Sequence, residues 1–350
     1  MLKKQLTIGN LKPTFPIIQG GMGVGISLSS LAGHVAKCGG IGIISGAQIG
    51  YREKDFIKNP LRANLDALKH EIQLAREIAP DGIIGVNLMV AMKHYAEYVK
   101  KAVEEKIDLI ISGAGLPLDL PKYTKDTHTK AIPIVSSAKA ANIICKQWDR
   151  KYNFAPDAII VEGPLAGGHL GFSASDLEEC PPLVEDILQE VKVIAQEYGA
   201  KYNKSIPVIV AGGVYDGTDV QHMLEIGADG IQMATRFVTT YECDAHLAFK
   251  EAYINSTPET IGIIKSPVGM PGRAILNPYV TNPAGNKACF YDCLHKCGIT
   301  DIPYCISKAL IHAVIGDTEN ALLFCGSNAY KATKLEHVKD IFEEIQLAIR

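Results

Sequence analysis

Eight short apolar runs recur along the first two-thirds of the chain, and they constrain the fold more than any other feature. Each run is rich in Ile and Val and is bounded by Gly, Pro or Asp, which is typical of strands buried on both faces of a parallel sheet. The runs occupy residues 15–20, 40–45, 82–88, 108–112, 132–136, 157–162, 206–211 and 229–233.

Amphipathic stretches separate these runs and predict helices over residues 29–37, 60–78, 94–105, 138–149, 176–198 and 217–225. Eight strands alternating with helices predict an α/β protein with a (β/α)8 TIM barrel. An open, doubly wound sheet uses the same alternation and is the structural alternative. We expect residues 1–240 to form the barrel, closed by parts of the C-terminal region. Residues 241–350 are expected to form a small, mainly helical subdomain on the substrate side, with a Cys-rich segment at 289–305.

Charge and composition exclude several classes of protein. The 350 residues carry a formal charge of -3, which does not indicate a nucleic-acid or anionic-membrane partner. No apolar run reaches the roughly 18 residues of a membrane span, and the N-terminus lacks the apolar core of a signal peptide. We therefore expect a cytoplasmic protein with a small-molecule substrate, whose nine cysteines are thiols or metal ligands.

In a barrel of this type, chemistry occurs where the strands end. The residues at the predicted strand ends are mostly Gly, Ser, Asn and Gln, with few charges. Such a lining suits a large planar ligand that needs hydrogen bonds and close backbone contact. The candidate ligand-binding residues are Gly20, Gly21, Met22, Asn87, Ser136, Glu162, Gly167, Gly168, Ala211, Gly212, Gly213, Gln232, Ala234 and Thr235.

The sixth run leads into a glycine-rich stretch, residues 162–171, that contains one histidine, His169. Glycine lets the backbone approach a flat ligand closely, and a histidine held there can exchange a proton near neutral pH. A strand-to-helix turn with an incidental histidine is the alternative. Glu162 either orients this turn or is an ion-paired strand end.

Two further strand ends indicate a phosphate site. Gly212-Gly213 follow the seventh strand and Thr235 follows the eighth, each before a helical stretch. Backbone N–H groups at helix starts bind phosphate, and in TIM barrels this site typically follows strands seven and eight. A simple turn explains the glycine pair equally well, and Arg236 fits either a phosphate contact or a structural ion pair.

These segments together resemble the nitronate monooxygenase family, formerly called 2-nitropropane dioxygenases, which also includes FMN-dependent enoyl-ACP reductases. The resemblance covers nearly the whole chain, in register. It is carried by residues 16–22, 85–89, 162–171, 210–214, 227–237, 266–274, 316–317 and 322–329.

The resemblance implies FMN lying across the strand ends. It places Gly21, Met22 and Asn87 along the isoalloxazine ring, and His169 at its reactive side. The phosphate would be held by Gly212, Gly213, Ala234 and Thr235, with Gly167 and Gly168 beside the ring.

The resulting functional hypothesis is an enzyme, an FMN-dependent oxidoreductase that oxidises alkyl nitronates with His169 as acid or base. The alternative is an enoyl reductase that uses NAD(P)H as electron donor. Two hypotheses of other classes are a flavin-free isomerase or lyase for a phosphorylated metabolite, and a non-catalytic flavin-binding subunit.

Four cysteines depart from the family pattern. Cys289, Cys293, Cys297 and Cys305 follow a C-x3-C-x3-C-x7-C spacing, in which residues four apart share a helix face. Four thiolates suit an Fe–S cluster or a structural zinc, although the spacing matches neither the usual zinc pairs nor the ferredoxin run. The alternative is an apolar helix whose cysteines pack in the core.

The tail, residues 334–350, is predicted to be an amphipathic helix. Its apolar residues are Val338, Ile341, Phe342, Ile345 and Leu347. Packing on the core is the favoured interpretation, and a subunit contact within a homodimer is the alternative.

Overall fold

Eight parallel strands close into a barrel in the order β1-β2-β3-β4-β5-β6-β8-β9, and β9 pairs back with β1. The computed structural model describes residues 5–283, 291, 293–295 and 303–349. The closed barrel confirms the predicted TIM fold and excludes the open sheet. The strands to this point are β1 (Ile17–Gln19), β2 (Ile41–Ser45), β3 (Ile83–Met89), β4 (Leu109–Gly113), β5 (Lys130–Val135), β6 (Ile159–Glu162), the two-residue β7 (Gly168–His169), β8 (Val208–Ala211) and β9 (Gly230–Met233).

Alternate strand residues pack on opposite sides of the barrel wall, because successive side chains of a strand point to opposite faces. Ile18 belongs to one buried cluster, which Leu6 and Ile8 of the N-terminal segment join. Its neighbour Ile17 belongs to a second cluster, with the apolar faces of the surrounding helices. Burial on both faces explains why the strands are continuous apolar runs.

The helices largely follow the sequence pattern, with one correction. Residues 176–198 do not form one helix: Pro181-Pro182 lie between α6 and α7, because proline lacks an N–H and restricts the residue before it. Within the described residues, no helix has the length and apolar character needed to cross a bilayer. The helices are α1 (Ser29–Lys37), α2 (Pro60–Ile78), α3 (Tyr95–Glu104), α4 (Pro121–Thr124), α5 (Ala138–Tyr152), α6 (Ala174–Glu179), α7 (Val184–Tyr202), α8 (Gly217–Glu225), α9 (Thr235–Val238), α10 (Leu247–Ile254), α11 (Pro278–Thr281), α12 (Ile306–Ile315) and α13 (Val338–Ala348).

The C-terminal region adds a small antiparallel sheet that the sequence pattern did not predict. Its strands β10 (Ile261–Lys265), β11 (Pro271–Ile275) and β12 (Leu323–Phe324) pair in that order. The inner strand β11 also pairs with β7, which follows the barrel strand β6. The C-terminal region is therefore joined to the barrel mouth by backbone hydrogen bonds.

The tail helix α13 packs on the barrel, as favoured from the sequence. It lies against α8 and α1, and Val338, Ile341, Phe342 and Ile345 are buried there. Leu347 is 71% exposed and takes no part in this contact.

Candidate active site

A cavity of about 960 Å³ lies at the carboxyl ends of the barrel strands, beneath the C-terminal region. Its volume is at the upper end of the range typical of small-molecule and cofactor sites. All of the ligand-binding candidates identified in the sequence line it. These are Gly20, Gly21, Met22, Asn87, Ser136, Glu162, Gly167, Gly168, His169, Ala211, Gly212, Gly213, Gln232, Ala234 and Thr235.

Three glycines of this lining differ in what a side chain at their position would meet. A Cβ on Gly21 would overlap the Cβ of Asn87, and one on Gly167 would lie about 2.6 Å from the N atom of Gly326. Gly21 is therefore packed tightly against a side chain and Gly167 against the backbone of a neighbouring segment. Gly168 has a φ of +74°, and a Cβ there would meet no atom within 4 Å. Its open face is therefore cavity surface that a ligand can approach closely.

The phosphate prediction needs correction at the start of α8. The first-turn N–H groups of α8 already have carboxylate partners, because Asp219 N–H donates to Asp216 Oδ1 at 3.0 Å and Gly217 N–H donates to Glu344 Oε1 at 2.8 Å. This helix start is therefore capped by the protein itself. The N–H groups of Gly213 and Val214, by contrast, donate to no described residue. The glycine turn, and not the helix, is the part that can still receive an anion.

His169 is held from the C-terminal side of the cavity. Its Nε2 is hydrogen-bonded to Ser266 Oγ at 2.7 Å, and its ring contacts the Phe324 ring edge-on at 4.9 Å between centroids. Its backbone pairs with Gly272 of β11. Burial lowers the pKa of His169 to about 4, because the charged imidazolium loses its hydration. The ring is therefore neutral at neutral pH.

Two polar groups that line the cavity have no hydrogen-bond partner among the described residues. Burial raises the pKa of the Glu162 carboxyl to about 7, and no charge or hydrogen bond from a described residue opposes this shift. The Oε1 atom of Gln232 is buried and has no hydrogen-bond partner among the described residues. Buried polar groups are normally satisfied, so both atoms indicate that a ligand completes the site.

Arg273 holds the glycine-rich loop that carries His169. Its guanidinium Nη1 donates to the carbonyl oxygens of Pro164 and Ala166, each at 2.6 Å. Sequence reasoning assigned no role to Ser266 or Arg273. Both lie in the 266–274 segment that carried the family resemblance, so that segment was the available signal.

Arg236 forms a structural ion pair, which is one of the two interpretations that the sequence left open. Its guanidinium is buried and pairs with Glu336 at 3.1 Å and with Glu344. The structure therefore favours the ion pair over a phosphate contact for Arg236, since its charge is already neutralised by two carboxylates.

Two of the four clustered cysteines, Cys289 and Cys297, lie outside the described residues. Cys305 is buried at the start of α12, and Cys293 lines the cavity with its Sγ 2.9 Å from Ser307 Oγ. Within the described ranges, no group of three or more candidate metal ligands comes together. The four-cysteine Fe–S or zinc site stays a prediction.

Comparisons with known proteins agree with this arrangement. A protein of Staphylococcus aureus strain MSSA476 described as "probable nitronate monooxygenase" is 28% identical over 91% of this chain and 90% of its own. FabK from Thermotoga maritima is structurally similar with a TM-score of 0.71 and 25% identity, over 96% of this chain and 93% of its own. A nitroalkane oxidase from Streptomyces ansochromogenes shares the fold, with a TM-score of 0.72 and 19% identity over 96% of both chains.

The family comparison spans nearly all of the sequence. The model of the family described as "Nitronate monooxygenase" matches residues 4–347, which include the whole barrel and the C-terminal sheet. The match thus contains both the cavity lining and the segment that holds His169. The chain belongs to the nitronate monooxygenase family.

Proposed function

We propose that this enzyme is an FMN-dependent oxidoreductase that oxidises alkyl nitronates, with His169 as the residue that exchanges a proton with the substrate. Family membership supports oxidoreductase chemistry. The observation that carries the rest is a neutral, oriented His169 in the wall of a cavity that glycine-rich strand ends also line.

The cavity lining fits FMN. Gly168 leaves open space for a flat ring, and Gly21 and Asn87 supply close-packed backbone and an amide beside it. The unpartnered Gln232 and Glu162 suit the hydrogen-bonding groups of the ring and of the ribityl chain. The free N–H groups of the Gly213 turn would hold the phosphate, together with Thr235. When bound, FMN supplies the redox chemistry, since it accepts electrons that the protein side chains cannot.

His169 acts as a base and as an orienting hydrogen-bond partner. Because the pKa is about 4, the ring remains unprotonated through the neutral range, so it can take the Cα proton of a nitroalkane that reaches the site and leave the nitronate that is oxidised. Towards a nitronate, whose carbon has already lost that proton, the ring serves as a hydrogen-bond partner of the substrate. The bond to Ser266 fixes the ring plane, and the Phe324 edge blocks rotation. Burial of the ring excludes water from the reacting side.

The reductase alternative has its own support. The likeness to FabK extends over 96% of the chain at 25% identity, and the enoyl reductase domain of MlnA from Bacillus amyloliquefaciens shares the fold with a TM-score of 0.68. In that reaction, NAD(P)H would be the electron donor. His169 would orient the carbonyl of a conjugated alkene, which a neutral N–H can do.

Two measurements on the purified protein test the proposal. The absorption spectrum shows whether flavin co-purifies. Parallel assays with an alkyl nitronate plus oxygen, and with NADH plus a crotonyl thioester, separate the two reactions. We expect flavin bands and nitronate oxidation. A colourless protein that FMN does not reconstitute would refute the proposal, and turnover of the thioester alone would establish the alternative.

A further inference from the structure

A second polar group of residues lines the same cavity, and none of its members is among the residues assigned to FMN. It consists of Gln48, Asn64, Tyr98 and Ser307, which we call the distal network. Its members come from the loop after β2, from α2, from α3 and from α12. All four are buried, with exposures between 2% and 7%. Four separate elements thus deliver uncharged polar side chains to one part of the cavity wall.

The distal network is internally hydrogen-bonded. Asn64 Nδ2 donates to Gln48 Oε1 at 3.0 Å, and the Asn64 side chain also bonds the Tyr98 hydroxyl. Asn64 Oδ1 accepts the N–H of Gly50 at 2.7 Å. Gln48 Nε2 reaches Ser307 Oγ at 3.5 Å, the longest contact of the set. Asn64 is therefore saturated and fixes the positions of its neighbours.

Hydrogen-bond counting shows that the distal network has N–H and O–H donors that no described residue accepts. A Tyr hydroxyl carries one donor and a Gln amide carries two. The Asn64 side chain opposes the burial-driven rise in the pKa of Tyr98, as a donor to the phenol oxygen does, which leaves the Tyr98 O–H to donate. Gln48 uses one N–H in the long contact with Ser307. Within the described part of the chain, the network therefore presents donors that match an oxygen acceptor on a ligand.

The surroundings of the distal network select against a charged ligand group. The network itself contains no ionisable cation or carboxylate. Of the cavity-lining cations, Lys93 is half-buried and already has an interaction partner of its own, and the histidines His94 and His295 are exposed. An ion placed against buried neutral groups loses hydration without gaining a counter-charge. The adjacent lining includes the apolar side chains Leu61, Ile306 and Leu310. These walls suit an aliphatic body that ends in a neutral acceptor.

We propose that the distal network binds an uncharged carbonyl oxygen of an elongated aliphatic substrate, whose reacting end lies at His169. This inference rests on the proposed function, because it places the other end of the same substrate. It names a class larger than short alkyl nitronates: a chain with a reacting carbon at one end and an amide, ester or ketone further along. The cavity volume of about 960 Å³ leaves room for such a chain beside a cofactor.

Isothermal titration calorimetry on the purified holoprotein tests the subsite with three probes of equal length: hexanamide, hexanoate and hexylammonium. We expect hexanamide to bind most tightly. Tyr98→Phe and Ser307→Ala should each weaken hexanamide by about 3- to 10-fold, the effect of one lost neutral hydrogen bond. Neither change should alter the affinity for the two charged probes.

Tyr95→Phe is the matched control. Tyr95 lies on the same helix as Tyr98 and is half-buried, but its hydroxyl bonds Ser112 Oγ at 2.8 Å and the residue does not line the cavity. It should leave hexanamide affinity unchanged. Equal affinity for all three probes, or an equal loss in the control, would overturn the subsite. Ser307→Ala keeps the test decisive if Tyr98→Phe does not fold.

The two proposals fail separately. A protein with flavin and nitronate turnover but no preference for hexanamide refutes the subsite alone. A protein without FMN and without turnover that still prefers hexanamide, and loses that preference in Tyr98→Phe, refutes the nitronate proposal alone.

Discussion

The barrel mouth and the C-terminal cover, which we define as β10 to β12 with α11 and α12, build the two walls of the cavity by different means. The mouth contributes backbone and glycines at the ends of strands. The cover contributes side chains: Ser266 and Phe324 contact His169, and Arg273 holds its loop. The residues that hold a ligand can thus be local in the sequence, whereas the orientation of the reacting side chain depends on partners at least 97 residues away.

Among the substitutions in the two walls, replacement of His169 should have the largest effect on turnover. His169→Gln removes the proposed base but keeps a polar side chain, so turnover should fall by about 10²- to 10⁴-fold, the usual contribution of general-base catalysis. FMN content should be retained, because the mouth holds the cofactor. Steady-state rates and the flavin spectrum measure both quantities.

His222→Gln is the control for that change, because the His222 side chain is 58% exposed on α8. It should leave the rate unaltered. Wild-type turnover in His169→Gln would remove His169 from the chemistry.

Arg273→Met tests whether the cover shapes the mouth. The change removes two charge-assisted bonds to the loop carbonyls, at about 1.5 to 3 kcal/mol for a hydrogen bond to a charged group. We expect the FMN dissociation constant to rise by about 10-fold or more and kcat to fall with it, as followed by flavin fluorescence during dilution.

Arg273→Lys should recover part of the loss, since a single ammonium cannot reproduce the planar donor fork. Arg62→Met is the control, because the Arg62 side chain is 78% exposed. Unchanged FMN affinity in Arg273→Met would show that the loop keeps its shape without the cover.

Two glycines of the mouth should respond differently to alanine. Gly21→Ala forces its Cβ onto Asn87 and should lower the free energy of unfolding by about 1 to 3 kcal/mol, the typical cost of overpacking. Gly168→Ala meets open space, so its cost is the strain of a positive φ, about 1 kcal/mol. Its methyl group should instead weaken FMN binding. Denaturation of the FMN-free proteins and FMN titration separate these effects, and equal destabilisation would contradict the difference.

The sequence predicted the mouth well because its signals are local. Buried strands of a parallel sheet are continuous apolar runs, and the residue after each run falls at one end of the barrel. Every candidate ligand-binding residue found in this way lines the cavity. The helices α1, α2 and α8 have their predicted bounds for the same reason.

The cover was harder to predict because its contacts are not local. Strand β7 pairs with β11 so that Gly168 lies opposite Arg273. The hydrophobic pattern of neither segment indicates this pairing. The capped start of α8 was missed because Glu344, its partner for Gly217, comes from the tail helix. The low pKa of His169 follows from burial, which depends on the cover being in place.

The smallest expected effect concerns the hydrogen bond between His169 at the barrel mouth and Ser266 of the C-terminal cover. Under the proposed function, the neutral form of His169 is the active base in wild type, so turnover should rise as the pH increases through about 4 and should be level for this group by pH 6. An unshifted histidine would place the rise at about 6.5. If the pH–rate profile has a further inflection near pH 7 that is absent in Glu162→Gln, that inflection belongs to Glu162. Burial raises the pKa of Glu162 to about 7.

Ser266→Ala removes the hydroxyl that bonds His169 Nε2 but leaves the surrounding burial in place. We therefore expect kcat to fall by about 3- to 10-fold, as for one lost hydrogen bond, while the acid limb stays near pH 4 or moves lower. Ser266→Thr should restore the rate, because it keeps a hydroxyl. A shift of the acid limb of the pH–rate profile up towards pH 6.5 in Ser266→Ala would contradict this account. It would show that the Ser266 hydroxyl, and not desolvation by the C-terminal cover, keeps the ring neutral, because only removal of the dominant cause returns a pKa to its ordinary value.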